Sequence, residues 1–336
     1  MKATKIISAC AVLVALASCS NDHVISQPGA EDMLTHMSVV SSVGSPKTKA
    51  ANAAGDVQDT QFARDEVINV YLFENTSSGA IKTYGKNDDG LIPMKADGAG
   101  KLATDDDGDR ATLYYPTNGN SVKAYAYYPA LSEGGYNIKE SSTSSDFTVV
   151  LDQSAKADYR KSDLMCANKT VNAKKDDPVD LTFTHKLSKI EVILKADAAS
   201  GVTEAQLANA TVTIKNVFPT IELLTINEGS ITLGNAKGIA GDIIIGKDGV
   251  SPDQTNGYAG IIVPQDITGE KELFNVTLKG GGSYTYKVSN GTTINFVSGN
   301  RYTYTLKLTS GGLTVESTAI NAWTPQDKGE NNANLD

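Results

Sequence analysis

Few residues of this 336-residue chain have the type and spacing that chemistry needs. Its cysteines are Cys10, Cys19 and Cys166, and its histidines are His23, His36 and His185. Cys19 follows Leu16-Ala17-Ser18, a setting for covalent modification of its thiol. With Cys10 and Cys19 both in the N-terminal region, Cys166 is left alone, and one thiol builds neither a disulfide framework nor a cysteine zinc site. His185 is the single histidine outside the N-terminal tail, and it lies on an apolar face beside Phe183. That placement predicts a satisfied, buried histidine rather than a catalyst. No serine or cysteine has the Gly-x-Ser-x-Gly context of a nucleophile elbow. The run Asp105-Asp106-Asp107-Gly108-Asp109 invites a calcium reading through Asp105, Asp107 and Asp109. Its glycine is at the fourth position and the twelfth residue is Pro116, whereas an EF-hand loop needs glycine at six and glutamate at twelve. A solvated hairpin turn is the default there, with an irregular calcium site the weaker alternative. Gly280-Gly281-Gly282 lacks a following lysine and helix, so it reads as a hairpin turn and not a phosphate loop.

The first residues carry a transport signal. Lys2 and Lys5 form a short basic start, and Ile6 to Ala17 follow as an apolar run broken by Ser8. The run is too short for a bilayer, which takes roughly 20 apolar residues, and fits the core of a secretory signal. Leu16-Ala17-Ser18-Cys19 resembles the bacterial lipobox, in which the cysteine is diacylated and the chain is cut just before it. The expectation is a signal peptide over 1–18 and lipid anchoring through Cys19. Removal of 1–18 takes away Lys2 and Lys5 and no acid, so the net charge moves from −9 to −11. An acidic chain with no basic cluster argues against nucleic-acid binding. Nothing after Cys19 approaches transmembrane length, and no cofactor motif is present.

The elements that would position these residues are strands. Ser20 to about Gln61 reads as a polar tail, with Gln27-Pro28-Gly29, a small-residue run from Lys49 to Gly55, and one strand-like piece, Met37-Ser38-Val39-Val40. From Val67 the pattern is strand after strand: Val67–Phe73, Val122–Tyr128 and Phe147–Leu151, each bounded by turn residues. Later, Phe274, Val276 and Leu278 alternate with polar residues, as do Tyr284, Tyr286 and Val288, and Tyr302, Tyr304, Leu306 and Leu308. Such alternation sets one face on a core and one in water, as in antiparallel sheets. Helical periodicity is scarce, with Thr203 to Ala210 the best short helix. The charged stretch Asn172–Pro178 divides two strand-rich halves, a tail over 19–63 preceding regions 64–176 and 177–336. Just beyond it, Leu181, Phe183, His185 and Leu187 share one parity while Ile190, Val192 and Leu194 have the other. A one-residue slip flips every side chain, so a β-bulge near Leu187-Ser188-Lys189 is expected. The fourteen tyrosines, including Tyr114-Tyr115, Tyr125 and Tyr127-Tyr128, are read as strand packing in preference to a sugar-stacking platform.

Three segments carry a family resemblance. Leu181-Thr182-Phe183-Thr184-His185-Lys186-Leu187-Ser188-Lys189-Ile190 resembles the Phe-x-His-x-Leu segment of fimbrillin-like proteins of Bacteroides and its relatives. Gly299–Tyr304 through Ile320-Asn321-Ala322-Trp323 resembles that family's closing strands, and Val67–Phe73 its first strand of the folded body. The resemblance implies an all-β fold of two tandem transthyretin-like antiparallel β-sandwich domains. It implies a structural or adhesive subunit of a type V pilus, brought to the outer membrane as a lipoprotein. A trypsin-like protease would then remove the N-terminal strand, and a neighbouring subunit's strand would fill the groove by β-augmentation. Repeated head to tail, that contact makes a filament.

For processing, the family's site is an arginine before a small residue. This chain offers Lys49 before Ala50 and Arg64 before Asp65. Without a cut the protein would stay as an anchor or accessory subunit. The implied partners are other pilus subunits, the outer membrane through lipid, and a host or bacterial surface ligand. The alternative is a surface glycan-binding lipoprotein of a polysaccharide-uptake system. An enzyme ranks third, because no convergent set of titratable groups is visible.

Overall fold

A computed structural model describes residues 35–44, 61–75, 81–83, 90–104, 113–130, 138–172, 178–250 and 254–323. Cys19, Lys49, Asp105, Asp107 and Asp109 lie outside the described residues. The fold is all-β, as the alternating apolar pattern predicts. The eight-stranded sheet contains β1 (Val39–Val43), β2 (Val67–Asn75), β3 (Ile81–Thr83), β4 (Leu91–Ala96), β5 (Lys101–Thr104), β6 (Ser121–Tyr128), β9 (Met165–Val171) and β10 (Val179–His185). A three-stranded sheet joins β7 (Ser142–Thr148), β13 (Thr220–Asn227) and β14 (Ser230–Lys237). A five-stranded sheet holds β8 (Asp152–Gln153), β12 (Thr211–Val217), β15 (Gly241–Ile245), β18 (Glu272–Thr277) and β19 (Ser283–Lys287). A four-stranded sheet has the order β16 (Gly257–Ile262), β11 (Ser188–Ala196), β21 (Asn300–Thr309) and β22 (Gly312–Ala322). A hairpin of β17 (Gln265–Thr268) and β20 (Thr293–Phe296) stands beside them. Most pairings are antiparallel, while β1–β10, β11–β21 and β8–β15 are parallel.

Two hydrophobic cores organise these sheets. Ile68, Val70 and Leu72 of β2 point into a first core with Val39, Leu102, Leu181 and Phe183. Tyr71 and Phe73 of the same strand point the other way, into a second core that runs on through Ile190, Val192, Phe274 and Leu306. A strand buried on both faces reads as a near-continuous apolar run, which is what Val67–Phe73 shows. Of the two short α-helices among the described residues, α1 (Lys156–Lys161) and α2 (Glu204–Ala208), the second falls inside the predicted Thr203–Ala210 segment. It starts at a capping box in which Thr203 Oγ1 accepts from the Gln206 N–H and the Gln206 side chain accepts from the Thr203 N–H.

The change of parity after Leu187 has a different cause from the expected bulge. β10 ends at His185 and β11 begins at Ser188, and the two strands belong to different sheets. Leu181 and Phe183 fill the first core; Leu187, Ile190, Val192 and Leu194 fill the second. The flip marks a strand handed from one core to the other, so no bulge is needed. β10 pairs with β9 and β1, and the chain changes sheet at Lys186-Leu187.

Candidate functional site

The N-terminal strand is not an appendage. β1 lies between β10, parallel in the register Val39↔Val179 to Val43↔Phe183, and β5, antiparallel at Val39↔Leu102 and Val40↔Lys101. Backbone donors hold both sides: Val179 N–H to Ser38 O (2.8 Å), Gly44 N–H to Phe183 O (2.8 Å), Ser41 N–H to Gly100 O (2.7 Å) and Met37 N–H to Leu113 O (2.8 Å). Met37, Val39 and Val43 point into the first core, and Ser41 continues their row. Gly100 permits the close approach: its φ is +97°, and a Cβ there would lie 3.2 Å from Ser41 O. Each buried Val or Met contributes ~1.5–3 kcal/mol, so an emptied seat is an apolar groove with unpaired backbone on two edges. The structure places this strand at Val39–Val43, overlapping the Met37–Val40 piece read from sequence.

Arg64 sits close by, at the tip of a clamped turn. Glu66 N–H donates to Ala63 O (3.3 Å), Asp65 N–H to Ala96 O (2.8 Å) and Ala96 N–H to Glu66 O (2.9 Å), and Asp65 has a φ of +67°. The buried Glu66 carboxylate accepts from the Ala63 N–H (2.7 Å) and the Tyr128 hydroxyl (2.9 Å), and Arg160 of α1 pairs with it at 3.3 Å. Burial, followed by the neighbouring Glu66 charge, pushes the Tyr128 phenol well above its usual range, so it stays a donor. Phe62 is buried against Tyr128 and edge-on to Phe183. Arg64 itself is exposed, but the backbone on either side of it is tied down. Sequence reasoning found Arg64 and missed Glu66 and Arg160, because a lone carboxylate and a helix arginine 94 residues apart leave no spacing signal.

The other candidate residues lie in packed surroundings or turns. His185 is buried, its Nδ1 lies 2.9 Å from Asp163 Oδ1, and its ring stacks on Trp323 at 3.7 Å and 4°. The Lys189 amine lies 3.2 Å from Glu191 and 5.8 Å from the centre of the Trp323 ring. The histidine is buried as the sequence predicts and capped by Trp323, but it is satisfied at Nδ1 alone, its Nε2 having no hydrogen-bond partner among the described residues. Tyr115, Tyr125, Tyr127 and Tyr128 are buried, and Tyr114 packs on His36, so these tyrosines form no exposed sugar platform. Gly280, Gly281 and Gly282 make a turn in which Leu278 N–H donates to Gly282 O (3.0 Å). Cys166 is buried, and burial pushes its thiol up. Among the described residues no group of three His, Cys, Asp or Glu is placed to hold a metal, and no helix is long and apolar enough to cross a membrane.

Comparisons with known proteins point one way. A family model described as fimbrillin-like matches residues 48–323. A Bacteroides uniformis protein named as a candidate fimbrium subunit, Fim1C, is 31% identical over 233 residues, covering 67% of this chain and 69% of that protein. Two crystal structures of candidate cell adhesion proteins share the fold. One from Bacteroides ovatus has a TM-score of 0.61 at 20% identity, over 88% of this chain and 99% of the other. One from Bacteroides uniformis has a TM-score of 0.56 at 22% identity, over 86% and 98%.

Proposed function

The chain belongs to the fimbrillin-like family, and from that premise we propose that it is a non-enzymatic subunit of a cell-surface fimbrium, delivered as a lipoprotein through Cys19 and assembled by strand exchange at the seat of β1. The observation that carries this reading is the place of β1 itself. It is a short N-terminal strand inside the sheet, with core side chains on one face and hydrogen-bonded neighbours on both edges. Its loss leaves the kind of groove that β-augmentation fills. The eight-stranded sheet with its own core, and the four- and five-stranded sheets around the second, correspond in this reading to the family's two β-sandwich units.

The two candidate cleavage residues differ in what a protease meets. A cut after Arg64 requires opening the Ala63–Glu66 turn and withdrawing Phe62 from the core. A cut after Lys49 falls between β1 and that turn in sequence, and it releases Cys19, its lipid and β1 in one piece. We therefore assign processing to Lys49 and a trypsin-like protease that accepts lysine. N-terminal sequencing of surface material, with SDS-resistant laddering followed in parallel, tests this. A new N-terminus at Ala50 in the laddering fraction is expected. A single unladdered species beginning at acylated Cys19 would count against a polymerising subunit and leave an anchor or accessory role.

A further inference from the structure

A second feature shares no residue with the seat of β1. Between β14 and the β17–β20 hairpin lies an open cleft of about 390 Å³, within the ~300–1,000 Å³ range of small-molecule sites. Its apolar wall includes Phe218, which is half-buried. The Phe218 backbone is pinned: the buried Gln265 side chain accepts from its N–H (2.8 Å) and donates to its carbonyl (3.0 Å) and to that of Val263 (3.0 Å).

Three exposed polar side chains line the same cleft, namely Asn235, Asp266 and Asn295. None makes a hydrogen bond or ion pair with another described residue. Asp266 and Asn295 are directly opposed in the β17–β20 ladder, which sets their Cβ atoms ~4.5–5.5 Å apart. A carboxylate and a carboxamide side by side present acceptors and donors to two neighbouring hydroxyls. Asn235 comes from an irregularity: Ile221 pairs Ala236 and Leu223 pairs Leu233, so Gly234 and Asn235 together oppose Glu222 alone. Bulges of this kind re-aim a side chain.

We propose that this cleft binds a neutral sugar unit of a surface glycan, with Phe218 against the ring and Asn235, Asp266 and Asn295 on its hydroxyls. Two alternatives fit less well. The β13–β14 ladder slips twice, between Ile221 and Leu223 and between Leu223 and Thr225, and an edge interrupted in this way resists strand addition. No lysine or arginine lines the cleft, whereas Asp266 does, so acidic sugars meet repulsion without compensation.

The test is a ligand-observed NMR titration of the mature chain with methyl glycosides of galactose, mannose, fucose and N-acetylglucosamine. N-acetylneuraminic acid serves as the anionic control. At least one neutral glycoside should bind and the acid should not. Asn235→Ala and Asn295→Ala should each weaken binding about tenfold, equivalent to about 1.4 kcal/mol, with the unfolding midpoint unmoved because both residues are exposed. Absence of binding by all four glycosides, binding by both variants as tight as by the parent chain, or preference for the acid overturns the proposal. So does capture of a Met37–Gly44 peptide at this cleft in place of a sugar. Because the laddering assay reads a different surface, failure here leaves strand exchange standing, and the reverse holds.

Discussion

Glu66 concentrates the electrostatics of the N-terminal edge. Its carboxylate collects the Ala63 amide, the Tyr128 hydroxyl and the Arg160 guanidinium, so removing it strands three donors at once. Breaking one partner of a buried pair costs ~3–5 kcal/mol; Arg160 keeps some solvent, so Glu66→Ala is expected nearer ~2–3 kcal/mol. The same change should open the Ala63–Glu66 turn, and trypsin should cut after Arg64 at least tenfold faster than in the parent chain. Equal cutting rates would dismiss the clamp. A second expectation concerns alkaline pH. Burial holds the phenols of Tyr125 and Tyr258 up to about 12 and pushes Tyr127, Tyr128 and Tyr304 well above the usual range. The native state therefore keeps protons that the unfolded chain releases near pH ~10. The stabilisation is intact below that pH and is lost as pH climbs through the raised values. Denaturant midpoints should fall from about pH 9 to pH 11, and Tyr258→Phe should make that fall shallower.

At the scale of elements, β1 shows how much a strand's neighbours decide. Its apolar alternation is visible in sequence, but its limits are set by β10 and by the approach of Gly100, which no local pattern reveals. Val43 points into the core and pairs with Phe183, whereas Val40 is half-buried on the other face. Val43→Asp forces an unpaired carboxylate into that core and should detach the strand. Hydrogen exchange is the measure: the Met37, Ser41 and Gly44 amides should lose protection while β11 and β21 keep theirs. Val40→Asp should leave all of them protected, and matching losses in both variants would mean that β1 is not held by its core face. The same limit on local reading explains the parity flip after Leu187. Periodicity locates the flip correctly, yet it cannot distinguish a bulge within one ladder from two strands serving two cores. The α2 start is the opposite case, because a capping box is written entirely in neighbouring residues.

For the whole molecule, partner choice is the information that sequence withholds. β7 and β8 precede residue 172, yet β7 pairs with β13 and β8 with β15. The β13–β14 turn docks back on the first sheet, where a Cβ on Gly229 would lie 2.3 Å from Ala167 O. The halves thus interlock, while the ladder partners of β1 all belong to the eight-stranded sheet and its side chains reach the first core alone, as the proposed exchange requires of it. That asymmetry supports a test that separates cutting from exchange. Val40 and Lys101 are directly opposed on β1 and β5, with Cβ atoms ~4.5–5.5 Å apart, near the separation a disulfide tolerates. The double variant Val40→Cys/Lys101→Cys, once oxidised, should still be cut in the tail. It should keep its N-terminal piece on non-reducing gels, and it should fail to ladder. Reduction should restore laddering, since the strand is then free to leave. Laddering with the disulfide intact would mean that subunits join somewhere other than the seat of β1.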